Sequence, residues 1–326
     1  MERILIIIVA AVLFVGCEKV VDINNDPSKE LPVVNAIPTV GEPLFVYFAH
    51  TRFFLDTNNN QPLADASLTV YANDVPLALD SIVRCRYHYA YEPQEGDSLR
   101  LEGITPYGTL TARTYVPRVP TLSNISLLAD TGGQAFRFYN ASFAFEDHGG
   151  EAEYYTLVVE VRDSGARRNH REHRIDHVDT TRSVYFALTD NDEITGDASY
   201  VNAAFGFFYT HNYFNDSRID GRTYPVKMQI LHIIDTTEIA PFKHEYTVSL
   251  RSVTPARLRY IIDASRQRGT SSFFSEQGQV RGNVNGALGI FAGVAKSSFS
   301  FCPDTLGIYG GVGAVAPSRE LIERVK

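Results

Sequence analysis

Ser98-Leu99-Arg100-Leu101-Glu102, followed by Thr109-Leu110-Thr111-Ala112-Arg113-Thr114, decides the fold. In both runs an apolar residue stands at every second place, with charged or hydroxyl side chains between. Successive side chains point to opposite faces of a strand, so each run gains one buried and one wetted face. A helix would scatter the same residues around its axis. Pro106-Tyr107-Gly108 between them supplies turn residues, and the two read as strands joined by a turn.

The scheme extends outward. Leu44 to His50 reads as a mostly buried strand, and Ser67 to Ala72 points Leu68, Val70 and Ala72 one way. Arg84 to Tyr89 places Cys85, Tyr87 and Tyr89 on one face. Short strands separated by Asn-Asp, Glu-Gly-Asp and Pro-Tyr-Gly turns describe an immunoglobulin-like β-sandwich over residues 31–117. Val116-Pro117-Arg118-Val119-Pro120-Thr121 then removes two backbone donors and biases the chain extended, so residues 118–123 are expected to be a linker. Beyond it, residues 124–326 read as a second, larger β-rich domain. Its strands include Tyr155 to Val161, Val226 to Ile234 and Tyr246 to Arg251. A helix is expected where Thr254 can cap, Pro255 suits the first turn and Gly269 suits the end. Leu258, Ile261, Ile262 and Ser265 give that helix one stripe. A short C-terminal helix is expected from Ser318. The fold class is therefore all-β, with one or two short helices.

The chain begins differently. Ile4 to Val15 is unbroken apolar sequence behind Arg3, too short to span a membrane, which takes ~20 residues, and suited to a signal peptide. Leu13-Phe14-Val15-Gly16-Cys17 resembles a bacterial lipobox, with cleavage between Gly16 and Cys17 and lipid attachment at Cys17. Residues 1–16 are thus expected to be a signal peptide and 17–30 a lipidated tether. Several acyl chains make a durable anchor where one alone binds marginally.

Composition narrows the function. A chain of 326 residues with 44% hydrophobic and 12% aromatic content can bury two cores. The net charge of -8 and the lack of a basic stripe argue against nucleic-acid binding. Beyond Cys17 only Cys85 and Cys302 remain. In an exported protein they could form a disulfide; lying in separate domains, they read equally well as buried free thiols.

Four stretches imitate reactive motifs. His170 to His177 is dense in histidine but is not HExxH, and arginines from Arg167 to Arg174 repel a cation; it reads as a solvated hairpin. Asp190 to Gly196 and Asp216 to Gly221 fail the spacing of an EF-hand loop and read as polar turns. Gly311 to Ala316 imitates a dinucleotide fingerprint without the βαβ unit that chemistry needs. No GxSxG elbow occurs. No catalytic residue, metal or cofactor is expected.

Read together, the chain resembles the domain-of-unknown-function 4249 family of Bacteroidota outer-membrane lipoproteins. The resemblance rests on Leu31 to Val34, Pro62 to Val70, Gly96 to Leu101 with Ala112 to Pro117, and Tyr154 to Leu157. It continues through Phe214 to Asp216 with Asp220-Gly221, and ends on Asn283-Val284-Asn285-Gly286-Ala287-Leu288-Gly289-Ile290-Phe291. The last is similar to a glycine-rich signature whose glycines allow close backbone approach, with Val284, Leu288, Ile290 and Phe291 filling core space. The resemblance implies an all-β lipoprotein of the outer membrane, often encoded near TonB-dependent receptors, and brings no catalytic residues.

The expected role is therefore a non-enzymatic binding or accessory lipoprotein, anchored in the outer membrane and working with a TonB-dependent nutrient receptor. The alternative is an envelope structural or adhesion protein. The loop carrying Asn58, Asn59 and Asn60 is the candidate binding loop, and the aromatic segment Phe205 to Phe214 a second contact region.

Overall fold

A computed structural model describes residues 31–51, 63, 65–129, 136–195, 211–269, 280–303 and 307–310. The leader, Gly16, Cys17, the tether, the Asn58-Asn59-Asn60 loop, Gly311 to Ala316 and the stretch from Ser318 lie outside the described residues, as does Phe205 to Thr210.

Residues 32–115 build β1 (Pro32–Ala36), β2 (Phe45–His50), β3 (Ser67–Ala72), β4 (Val75–Pro76), β5 (Leu79–Val83), β6 (Arg86–Tyr89), β7 (Ser98–Thr105) and β8 (Gly108–Tyr115). β7 contains the alternating run Ser98 to Glu102. It pairs antiparallel with β3 on one side and β8 on the other, Leu101 opposite Val70 and Ala112. Leu99, Leu101, Val70, Leu110 and Ala112 are buried, while Arg100 and Glu102 point outward. Each buried leucine or valine contributes about 1.5–3 kcal/mol relative to exposure, which fixes the register because a one-residue slip would invert both faces. Against this sheet packs a second, with Val34, Val46, Phe48, Tyr87 and Tyr89 completing a shared core.

The remaining elements are β9 (Thr121–Ala129), β10 (Phe136–Glu146), β11 (Tyr154–Asn169), β12 (Arg174–Ser183), β13 (Phe186–Leu188), α1 (Asp192–Thr195), β14 (His211–Asn215), β15 (Thr223–Ile233), β16 (Glu238–Val253), α2 (Pro255–Gly269), β17 (Leu288–Phe291), β18 (Val294–Cys302) and β19 (Gly307–Gly310). One sheet runs β13-β15-β10-β9; the other runs β12-β11-β16-β18-β19, with β14 added alongside β11. Their common core is aromatic: Phe145 lies 5.2 Å from Tyr155, and Tyr246 stacks on Phe301 at 5.1 Å. Such pairs add about 0.5–1.5 kcal/mol beyond their area. The molecule is all-β, built around two hydrophobic cores.

Two features depart from what the sequence led to expect, and a third decides between alternatives it left open. First, the glycine-rich stretch belongs to the first sandwich. β17 pairs parallel with β1, giving the order β17-β1-β2-β6-β5, and Val284 and Phe291 enter the first core. Ile290 is buried as expected, but Leu288 is 38% exposed because it stands on the outer face of this edge strand. The chain then passes straight into β18, whose Phe299 and Phe301 fill the second core. Second, the linker is shorter than 118–123: β9 begins at Thr121, and Leu122 is fully buried. Ser297 of β18 donates a hydrogen bond to the Pro120 carbonyl, so the connection is pinned. Third, Cys85 and Cys302 are not bridged. Cys85 is buried in the turn before β6 of the first sandwich, and Cys302 lies at the far end of β18, about 26 Å along the strand from Val294. Burial raises the Cys85 thiol pKa, consistent with an inert thiol.

Candidate functional site

The junction between the sandwiches encloses a cavity of about 400 Å³. Its floor comes from the second sandwich: Thr156 and Val158 of β11, His211 and Tyr213 of β14, and Arg251 and Val253 of β16. Ile37, Thr39 and Glu42, in the connection from β1 to β2, form one wall. α2 forms another through Arg257, Tyr260, Ile261, Ala264 and Ser265, and Val294 and Lys296 of β18 close the space.

Local chemistry explains why these elements meet. α2 starts directly after β16, where Thr254 caps it: its Oγ1 accepts from the Arg257 amide at 3.4 Å and its carbonyl from Leu258 at 3.0 Å. Pro255 occupies the first helical position, where a missing N–H costs nothing. This start turns Arg257 and Ile261, one turn apart, onto the same wall. The first sandwich is held in place by backbone bonds from Val40 to Val294 at 3.2 Å and from Val294 to Pro38 at 2.8 Å. Lys296 pairs with Glu42 across the junction.

The cations of this cavity are unequally matched. Arg251 donates to Glu160 at 3.0 Å, whereas its Nε is buried and has no hydrogen-bond partner. No carboxylate among the described residues lies within ion-pair distance of Arg257. Burial lowers the Arg257 pKa; Tyr260 opposes that shift, and the Arg251 charge adds to it. Arginine nonetheless keeps its charge in proteins.

A second cluster joins Asp147, Asp216 and Asp220, whose carboxylate oxygens lie within 4.8 Å of one another. Each accepts from a backbone amide of the opposite loop. Gly221 donates to Asp147 at 2.9 Å, Glu153 to Asp216 at 2.6 Å and Gly150 to Asp220 at 3.0 Å. Tyr155 also donates to Asp147 at 2.8 Å. Burial raises the Asp147 pKa, with the Asp216 and Glu153 charges adding to it against the hydrogen bonds. These bonds account for the cluster as a clasp between two loops. Asp216 to Gly221 is indeed a turn, but one with a partner loop the sequence did not indicate.

The other motifs fall elsewhere. His170 to His173 forms the exposed turn of the β11–β12 hairpin. Asp190 and Asn191 lead into α1, so Asp192–Thr195 is a short helix where a polar turn was expected, and buried Asn191 donates to the Pro225 carbonyl at 2.9 Å. The Arg251–Arg257 pair was missed because neither residue sits in a recognisable motif; the only local signal was the cap and stripe of α2. Of the aromatic segment, His211 to Phe214 belongs to β14, and His211 and Tyr213 reach the cavity.

Among the described residues, no helix is long and apolar enough to cross a membrane. No curated protein matches the chain. The family model described as "Domain of unknown function (DUF4249)" matches residues 18–300, so the chain belongs to that family.

Proposed function

We propose that this chain is an outer-membrane lipoprotein, anchored through Cys17, that serves without catalysis as a binding or accessory partner of a TonB-dependent nutrient receptor. The observation that carries the reading is the apolar run Ile4 to Val15 ending on Gly16-Cys17, ahead of a body built from two sandwiches. Acyl chains on Cys17 hold the protein at the leaflet. The tether limits the volume it explores and raises its effective concentration near a partner, so strong intrinsic affinity is not required. The junction cavity supports a binding role, because it is concave, partly apolar and lined by a few convergent polar groups.

The alternative, an envelope structural or adhesion protein, has one observation in its favour. β5 is an edge strand exposed along its whole length, with Leu79, Ile82 and Val83 in solvent. Such an edge offers unpaired backbone groups to another chain. Crosslinking the native lipoprotein in intact cells under nutrient limitation separates the two. A TonB-dependent receptor among the attached proteins supports the accessory role. Attachment only to other envelope proteins, with no receptor recovered, rejects it.

A further inference from the structure

The junction cavity carries more positive charge than its neighbours neutralise. Arg251, Arg257 and Lys296 line it; Glu160 answers Arg251 and Glu42 answers Lys296. Arg257 is left without a carboxylate among the described residues, and the buried Nε of Arg251 is left without an acceptor. A desolvated cation with no counterion opposes folding, and a buried donor with no partner does the same. Both stand beside one apolar surface, formed by Ile37, Val253, Ile261 and Val294.

We infer that this cavity binds a small molecule carrying one oxyanion on an apolar body, the oxyanion meeting Arg257 and Arg251 and the body lying against the Ile37–Val294 surface. A guanidinium fork matches a planar carboxylate or a phosphate through two parallel hydrogen bonds, which a point-charge lysine cannot do. The volume, about 400 Å³, admits a molecule of metabolite size and is too small for a diacyl lipid. The inference deepens the binding role proposed above and rests on it for its place in the cell, although the cavity chemistry is measured separately.

Benzoate, neutral benzamide and cationic benzamidine share one shape and differ in charge, so they are the probes. Their affinities for the mature full-length lipoprotein in dodecyl maltoside are compared by ligand-observed NMR titration. Benzoate is expected to bind best. Arg257→Gln is expected to weaken benzoate about tenfold or more, through loss of a charge-assisted pair, and to leave benzamide unchanged. Arg259→Gln, on the exposed side of the same helix, is expected to change neither. Because Arg257→Gln removes an unpaired cation, its melting temperature should not fall. If that variant fails to fold, Arg257→Lys keeps the charge, removes the fork and should still weaken benzoate. Equal binding of benzoate and benzamide, or benzoate affinity indifferent to both Arg257 variants, overturns the inference. Benzoate binding that survives a failure to crosslink any receptor rejects the accessory role while upholding this site. Receptor crosslinks without benzoate binding do the reverse.

Discussion

Gly289 stands at φ 104°, and a Cβ placed there would sit 2.0 Å from the Val34 carbonyl oxygen. Both facts oppose any side chain: left-handed backbone is strained for L-residues, and the contact is with main chain that cannot swing away. Gly289→Ala is expected to destabilise the protein by about 3 kcal/mol or more in urea titration. Gly41, at φ 69° with open space around it, isolates the backbone term, and Gly41→Ala should cost only about 1–2 kcal/mol. Equal losses at the two positions would refute the close approach. The need for glycine was legible in Asn283 to Gly293; the backbone being approached was not, since Val34 lies in another part of the chain. His232 was not legible either. It is 9% exposed, hydrogen-bonded to the Tyr246 hydroxyl and close to the His244 ring. Burial lowers its pKa to about 4, helped by His244, Arg137 and Arg182 and opposed by Asp163. The unfolded chain takes up the proton near pH 6.5 and the native state only near 4, so stability falls as pH drops through that window and levels off below it. The expected loss is about 3 kcal/mol, and unfolding profiles of His232→Gln should lack that part of the slope. Parallel profiles for the two proteins would contradict it.

At the scale of elements, what was legible is what local sequence controls. α2 runs from Pro255 to Gly269, as its cap, proline and glycine indicated, because helix ends are decided by a few neighbouring residues. The long 3.4 Å bond from Arg257 to Thr254 places this cap at the weak end of its class. Thr254→Ala should therefore cost about 0.5–1 kcal/mol, measured by thermal unfolding, and an undiminished stability would show that packing alone sets the helix start. β3, β7 and β8 were legible for the same local reason, since alternation specifies a face. The pairing of β17 with β1 was not, because parallel neighbours need no shared turn and leave no mark between them. The cavity escaped detection similarly. Its lining comes from β11, β14, β16, α2, β18 and the connection after β1, and no short stretch holds more than a fragment of it. The clasp of Asp147, Asp216 and Asp220 likewise joins loops separated by all of β11 to β14.

For the whole molecule, the run from Leu288 to Cys302 is the main structural join. Its first part edges one sandwich, its second part crosses the core of the other, and the cavity lies beside the passage between them. The sequence suggested two bodies on a linker; the fold instead makes the second passage of the chain a shared beam, with Ser297 bonded to the Pro120 carbonyl of the first connection. Backbone bonds of Val294 to Val40 and Pro38 tie the two cores together beside the cavity. The proposed role requires that this body be moored at the outer membrane by Cys17. Intact-mass analysis of the protein purified from its native membrane tests the claim directly. The expected product begins at Cys17 and carries a diacylglyceryl group on its sulfur; a chain beginning there with an unmodified thiol, or one still bearing Met1 to Gly16, would contradict it.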